Sequence, residues 1–63
     1  MKFFEVTSVF FDSGHVRAAI TDTIDADRQP ANTYKSEATA DIYRDYFRSY
    51  AAARAWVRDA KSA

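Results

Sequence analysis

Residues Phe47 to Ala60 constrain this chain more than any other segment. They run Phe-Arg-Ser-Tyr-Ala-Ala-Ala-Arg-Ala-Trp-Val-Arg-Asp-Ala. A serine that accepts a backbone N–H two or three residues on is a preferred helix N-cap, and Ser49 stands at that place. Behind it, Ala53, Trp56, Val57 and Ala60 recur at the spacing of one helical face. Alanine has the highest helix propensity, so the segment after Ser49 is expected to be helical. Its outer side carries Arg54, Arg58 and Lys61 at i, i+4 and i+7, the last two near the C-terminal end, where cations suit the helix dipole. A helix with one apolar face needs a surface to lie on, and the rest of the chain must supply it.

Lys2 to Phe11 is rich in Phe, Val and Thr, and His15 to Ile24 is again β-branched and alternating, so both read as strands. Between them lies Asp12-Ser13-Gly14, with the only glycine of the protein. Gly14 can supply the left-handed residue of a three-residue hairpin loop with a bulge. Closing the loop this way pairs Phe11 with His15, Phe10 with Val16 and Val6 with Ile20. One face then gathers Phe4, Val6, Phe10, Val16, Ala18 and Ile20. The other carries Phe3, Glu5, Thr7, Val9 and Phe11 beside Arg17, Ala19, Thr21 and Thr23. A two-residue turn would shift the register by one and regroup both faces.

Asp25 to Ala40 is the least ordered-looking stretch. Asp25 to Pro30 is polar, holds the only proline and reads as a loop, while Asn32 to Glu37 is a further candidate for extended backbone. Asp41 to Arg48 fits two states. Ile42-Tyr43 and Tyr46-Phe47 recur every four residues and would extend the helix back to near Glu37. Four of the six residues from Ile42 to Phe47 are strand formers, however, and a third strand gives the helix a sheet to cover. The expected fold is therefore α+β: a three-stranded antiparallel sheet, β-β-β-α, with one C-terminal helix packed on one face. The alternative is a β-hairpin plus one long C-terminal helix.

Sixty-three residues make one domain, residues 1–63, and a domain this short buries only roughly 60% of its unfolded surface. With no cysteine, disulfides and thiolate metal sites are excluded as staples, and a single histidine argues against a structural zinc. What remains is a core of five Phe, four Tyr and one Trp, supplemented by self-association, so a homodimer is expected ahead of a monomer. Glu5 and Thr7-Ser8 interrupt any apolar signal-peptide region, and no apolar run approaches membrane-spanning length. A cytoplasmic protein with no membrane association is expected.

No residue pattern calls for catalysis, a metal or another cofactor. His15 adjoins the hairpin turn without a Ser or Asp placed near it by any motif, and reads as a surface histidine. Asp22, Asp25 and Asp27 could touch a hard cation but lack the glycine and distal glutamate of a calcium loop. Asp41 and Asp45 lie four apart, flanked by Arg44 and Arg48. In a strand the two aspartates share one face and the two arginines the other, which is not the arrangement of an acid/base pair. A single glycine cannot make a phosphate-cradling loop.

Nucleic acid is the other partner class to weigh. Nine basic and nine acidic residues leave no net charge, whereas a dedicated binder usually has a basic excess. Yet Tyr46-Phe47-Arg48-Ser49, followed by Ala53 and Trp56-Val57, resembles the strand-to-helix junction of plant ethylene-response-factor DNA-binding domains and of the arm-binding domains of tyrosine recombinases. In those domains a Phe ends the third strand, a capping Thr or Ser follows, and an alanine and an aromatic of the helix pack on the sheet. Phe47, Ser49, Ala53 and Val57 occupy the matching positions, and Ala52 stands where the capping-box glutamate would be. The resemblance implies a three-stranded sheet that enters the major groove. Arg17, Arg44 and Arg48 would then face the bases, with Arg54, Arg58 and Lys61 near phosphates.

The first expectation for function is a small non-enzymatic interaction module, self-associating or accessory to a larger system. Phe3, Val9 and Phe11, on the sheet face away from the helix, are its expected partner-binding residues, because contiguous exposed apolar patches are uncommon on monomers. A sheet-type DNA-binding domain is the second.

Overall fold

A computed structural model describes residues 1–62 of the chain. Strands β1 (Lys2–Phe11), β2 (Val16–Asp25), β3 (Thr33–Ser36) and β4 (Ala40–Phe47) precede one helix, α1 (Tyr50–Ser62). The strands form one antiparallel sheet in the order β2-β1-β4-β3.

The hairpin closes through Gly14, whose φ is +95°, in the left-handed region that a side chain disfavours. The Phe11 amide donates to the His15 carbonyl at 2.9 Å and the Gly14 amide to the Phe11 carbonyl at 2.9 Å. Phe10 pairs with Val16 and Val6 with Ile20, as the bulged loop requires. The register then slips by one residue between Glu5 and Val6, so that Glu5 opposes Asp22 and Phe4 opposes Thr23. Thr21 is the extra residue. Its hydroxyl meets Glu5 and Thr7 on the face away from the helix, and Thr23 beyond it turns to the helix side beside Phe4. The expected grouping of Thr23 with Thr21 is corrected by this bulge.

Asp41 to Phe47 lies in β4, opposite β1 from Phe4 to Phe10. The long-helix alternative is thereby excluded. Strand pairing satisfies the segment's backbone, and Ser49 starts the helix: its Oγ accepts the Ala52 amide at 3.0 Å and its carbonyl the Ala53 amide at 3.1 Å. The expected three strands are four. Thr33–Ser36 pairs with the outer edge of β4, and the Glu37 amide closes the turn on the Ala40 carbonyl at 2.8 Å. All four residues of β3 are exposed, so no alternation of polarity marks them as a strand.

The helix does not lie centrally. It covers β2 and β1 and touches β4 only weakly. Val6 and Ala53 are 0% exposed and Ala18 is also buried, small side chains that let α1 approach the sheet closely. Val57 and Ala60 are half-buried. Trp56, expected on the buried arc, is 45% exposed, because its side of the helix overhangs β4, where it meets Phe47 with ring centroids 5.6 Å apart.

Candidate functional site

The two sheet faces carry different charges, and the period of two along β4 is the reason. Ile42, Arg44 and Tyr46 pair across β1 with Val9, Thr7 and Glu5, on the face away from the helix. Asp41, Tyr43 and Asp45 alternate with them on the helix side, beside Phe10, Ser8 and Val6.

On the face away from the helix, among the described residues, no helix or further strand packs over Val9, Phe11 and Ile42. These three are half-buried, with Arg17 and Arg44 exposed around them. Phe3 is different. It is 1% exposed, with the Arg48 guanidinium 5.4 Å from its ring centre, so it belongs to the core and cannot make first contact with a partner. The connection from Ala26 to Asn32 carries the chain from the β2 edge to the β4 edge across this end of the sheet. The Gln29 side-chain amide donates to the Tyr46 carbonyl at 2.9 Å, and the N-terminal ammonium donates to the Ala26 carbonyl at 2.9 Å.

The polar cluster between these ends is internally satisfied. Thr21 donates to one oxygen of Glu5 at 2.6 Å and the Tyr46 hydroxyl to the other at 3.0 Å. Burial, then the bond and charge of Glu5, raise the Tyr46 phenol above its usual range. A carboxylate engaged at both oxygens is poorly placed to take up a substrate proton.

The helix side holds a concavity. A groove of about 650 Å³ opens beside α1 and is lined by Ser8, Phe10, Asp41, Tyr43, Asp45, Trp56, Asp59 and Ala60. The Phe10 and Tyr43 rings meet edge-on at 5.6 Å, and Tyr34 lies against Tyr43 at 4.9 Å. One oxygen of Asp41 accepts the Tyr34 and Ser36 hydroxyls, each at 3.1 Å. Asp45 is half-buried, and burial alone pushes its carboxyl above the usual aspartate range; no neighbouring cation or donor offsets it. Ser8 is 1% exposed, and its Oγ has no hydrogen-bond partner among the described residues. Volume, aromatic walls and a few polar groups are the ordinary makings of a ligand site.

The groove was not foreseen from the sequence. The shared face of Asp41 and Asp45 was a legible part of it, and so was Ser8, the one polar residue between Val6 and Phe10 on the apolar face. Its remaining wall depends on where the helix lies.

The residues expected to touch nucleic acid are not gathered at one site, although Arg17 and Lys61 line the same concavity. Arg17 and Arg44 stand on the face away from the helix, and Arg48 at its Phe3 end. Arg54, Arg58 and Lys61 are exposed on α1, and Lys61 lines a concavity with Arg17, Thr7, Val9 and Phe11. Arg58 pairs with Asp59 at 3.5 Å, and Arg54 lies 6.0 Å from the Tyr50 ring centre. Asp22 accepts the Thr23 amide at 2.8 Å, and no group of three His, Cys, Asp or Glu side chains among the described residues is placed to hold a metal ion. His15 is exposed. No helix among the described residues is long and apolar enough to cross a membrane.

At the strand-to-helix junction, Phe47 ends β4, Ser49 caps α1, Ala53 is buried and Val57 half-buried. Compared with family models, curated proteins and solved structures, the chain matches none.

Proposed function

We propose that this protein is a small non-enzymatic interaction module that associates with a second copy of itself through the sheet face turned away from α1. The observation that carries this is the row of Val9, Phe11 and Ile42, half-buried on the sheet face away from the helix, with Lys61 at its margin. A 63-residue chain with one helix on one sheet has little core, and covering this row with a partner's row adds apolar burial at about 25 cal/mol per Å². Arg17 and Arg44 form a charged rim around it. Sedimentation equilibrium tests the proposal. The native chain is expected to be dimeric at tens of micromolar and Phe11→Ser monomeric; an unchanged mass in the variant would refute the assignment of this face.

A second reading, sheet-type DNA binding, draws support from Arg17 and Arg44 standing on that same open face. It requires a gel shift with duplex DNA at about 50 mM salt that weakens steeply as salt rises, since phosphate contacts release counterions. Absence of any shift there rejects it.

A further inference from the structure

The groove beside α1 gathers three features that point to the same kind of ligand. The first is charge. Asp41, Asp45 and Asp59 line it and no Lys, Arg or His does. Asp41 and Asp45 are four residues apart on one strand, a separation of about 13 Å at 3.3 Å per residue, so they do not converge on a single ion. Asp59 and Ala60 belong to the C-terminal part of α1, where the helix dipole is negative. The second is the aromatic wall of Phe10, Tyr43 and Trp56, whose ring faces attract cations. The third is Ser8. Ser8 is among the residues that line this groove, and its buried hydroxyl oxygen, between Ala18 and Tyr43 in register, has no partner among the described residues. Leaving such a group unsatisfied costs about 1–3 kcal/mol, a cost that a donor entering the groove would relieve.

We propose that the groove is a docking site for a basic segment of a partner protein, with an arginine side chain seated between Trp56 and Tyr43. A guanidinium has five N–H donors in a fixed fork and no acceptor. It can donate to Asp45 while its plane lies against a ring, with a small shift at Ser8 needed to bring the buried Oγ into the same set of contacts, and it is less strongly hydrated than an ammonium. Asp41 and Asp59, farther along the groove, meet further positive charge on the same segment, which is why a peptide rather than a lone cation is the occupant. The surface is separate from the Val9–Phe11–Ile42 row, so either proposal can fail without the other.

Trp56 is the only tryptophan in the chain and lines the groove, so intrinsic fluorescence reads occupancy directly. The probe is the peptide acetyl-Gly-Arg-Gly-Arg-Gly-amide, compared with the same peptide carrying citrulline, which is neutral and nearly isosteric, in place of arginine. Saturable change with the arginine peptide, weakened by salt and absent with citrulline, is expected, with amide shifts clustered at Ser8, Tyr43 and Asp45. Asp45→Asn should weaken binding about tenfold, the loss of one charge-assisted hydrogen bond, and Arg17→Ala on the open face should not. Equal binding of both peptides, no saturable change, or full affinity in Asp45→Asn each overturn the proposal. Arginine methyl ester binding as tightly as the peptide would replace the partner protein with a small amine. Fluorescence that changes on dilution without peptide would give the groove to a second copy.

Discussion

The helix side of the sheet has two halves built to opposite rules. Beneath α1, over β2 and β1, Val6, Ala18 and Ala53 are buried, and the one buried polar side chain among the described residues, Ser8, lies at the margin opposite Ala18. Beside α1, over β4, the neighbouring positions are Asp41, Tyr43 and Asp45, with Ser8 on the floor and Trp56 overhanging. The same strands and the same pleat serve both halves. They differ in whether a helix excludes water. Where it does, small apolar residues set the spacing and supply stability. Where it does not, acids and exposed aromatics persist at some cost, as the unpaired, half-buried Asp45 illustrates. The covered half is what folds this chain, and the open half is where it can afford chemistry that folding alone would reject.

The contrast should appear in stability measurements. Val6→Ala removes two buried methyl groups from the covered half and should cost about 2–3 kcal/mol in urea unfolding. A loss under 1 kcal/mol would mean the covered half is not the core. Removing the cap that positions the helix, Ser49→Ala, should cost about 1 kcal/mol by the same assay, and near-neutrality would show that sheet packing alone holds α1. Tyr43→Ala, in the open half, should cost about 1 kcal/mol or less, since its ring contacts are partly solvent-exposed. A cost matching Val6→Ala would erase the distinction.

Asp45→Asn has the smallest expected effect and the opposite sign. Because the folded-state value lies above the usual one, the folded chain holds this proton more tightly than the unfolded chain. The stability so contributed is present in acid and is lost as pH rises through the raised value. The neutral asparagine escapes that loss, so the variant should melt slightly higher than the native chain at pH 7. The gap should close as pH falls below the ordinary aspartate range. Thermal melts across that range check it, and a variant that melts lower at pH 7 would show that Asp45 has a stabilising partner.

Local rules made several parts legible before the fold was known. The single glycine and the alternation of Phe, Val and Ile select one hairpin register, in which Phe10 meets Val16 and Val6 meets Ile20. Ser49 caps its helix because the hydroxyl and the N–H it satisfies lie within one turn. Other parts had no decisive local signal. Threonine suits either face, so nothing in Thr21-Asp22-Thr23 reveals the bulge. The strand Thr33–Ser36 lies within the stretch read as a candidate for extended backbone, but it is exposed throughout, and its pairing depends on the hydrogen bonds that the edge of β4 offers. Phe3 alternates onto the face away from the helix as read, yet Arg48, far along the chain, lies over its ring, and that face is not equally open along its length.

By itself the sequence determined that β1 and β2 extend, where the hairpin turns, and that Asp41 and Asp45 would share a face opposite Arg44 if their segment were a strand, a choice it left open against a longer helix. These follow from backbone sterics and from periods of two and 3.6, which act over a few residues. Only the tertiary structure decided that α1 lies over β2 and β1 and not over β4. That sideways placement depends on how closely Ala53 and Ala18 let two surfaces approach, a property of packing between distant segments. The groove, the exposure of Trp56 and the unpartnered hydroxyl of Ser8 are all consequences of it.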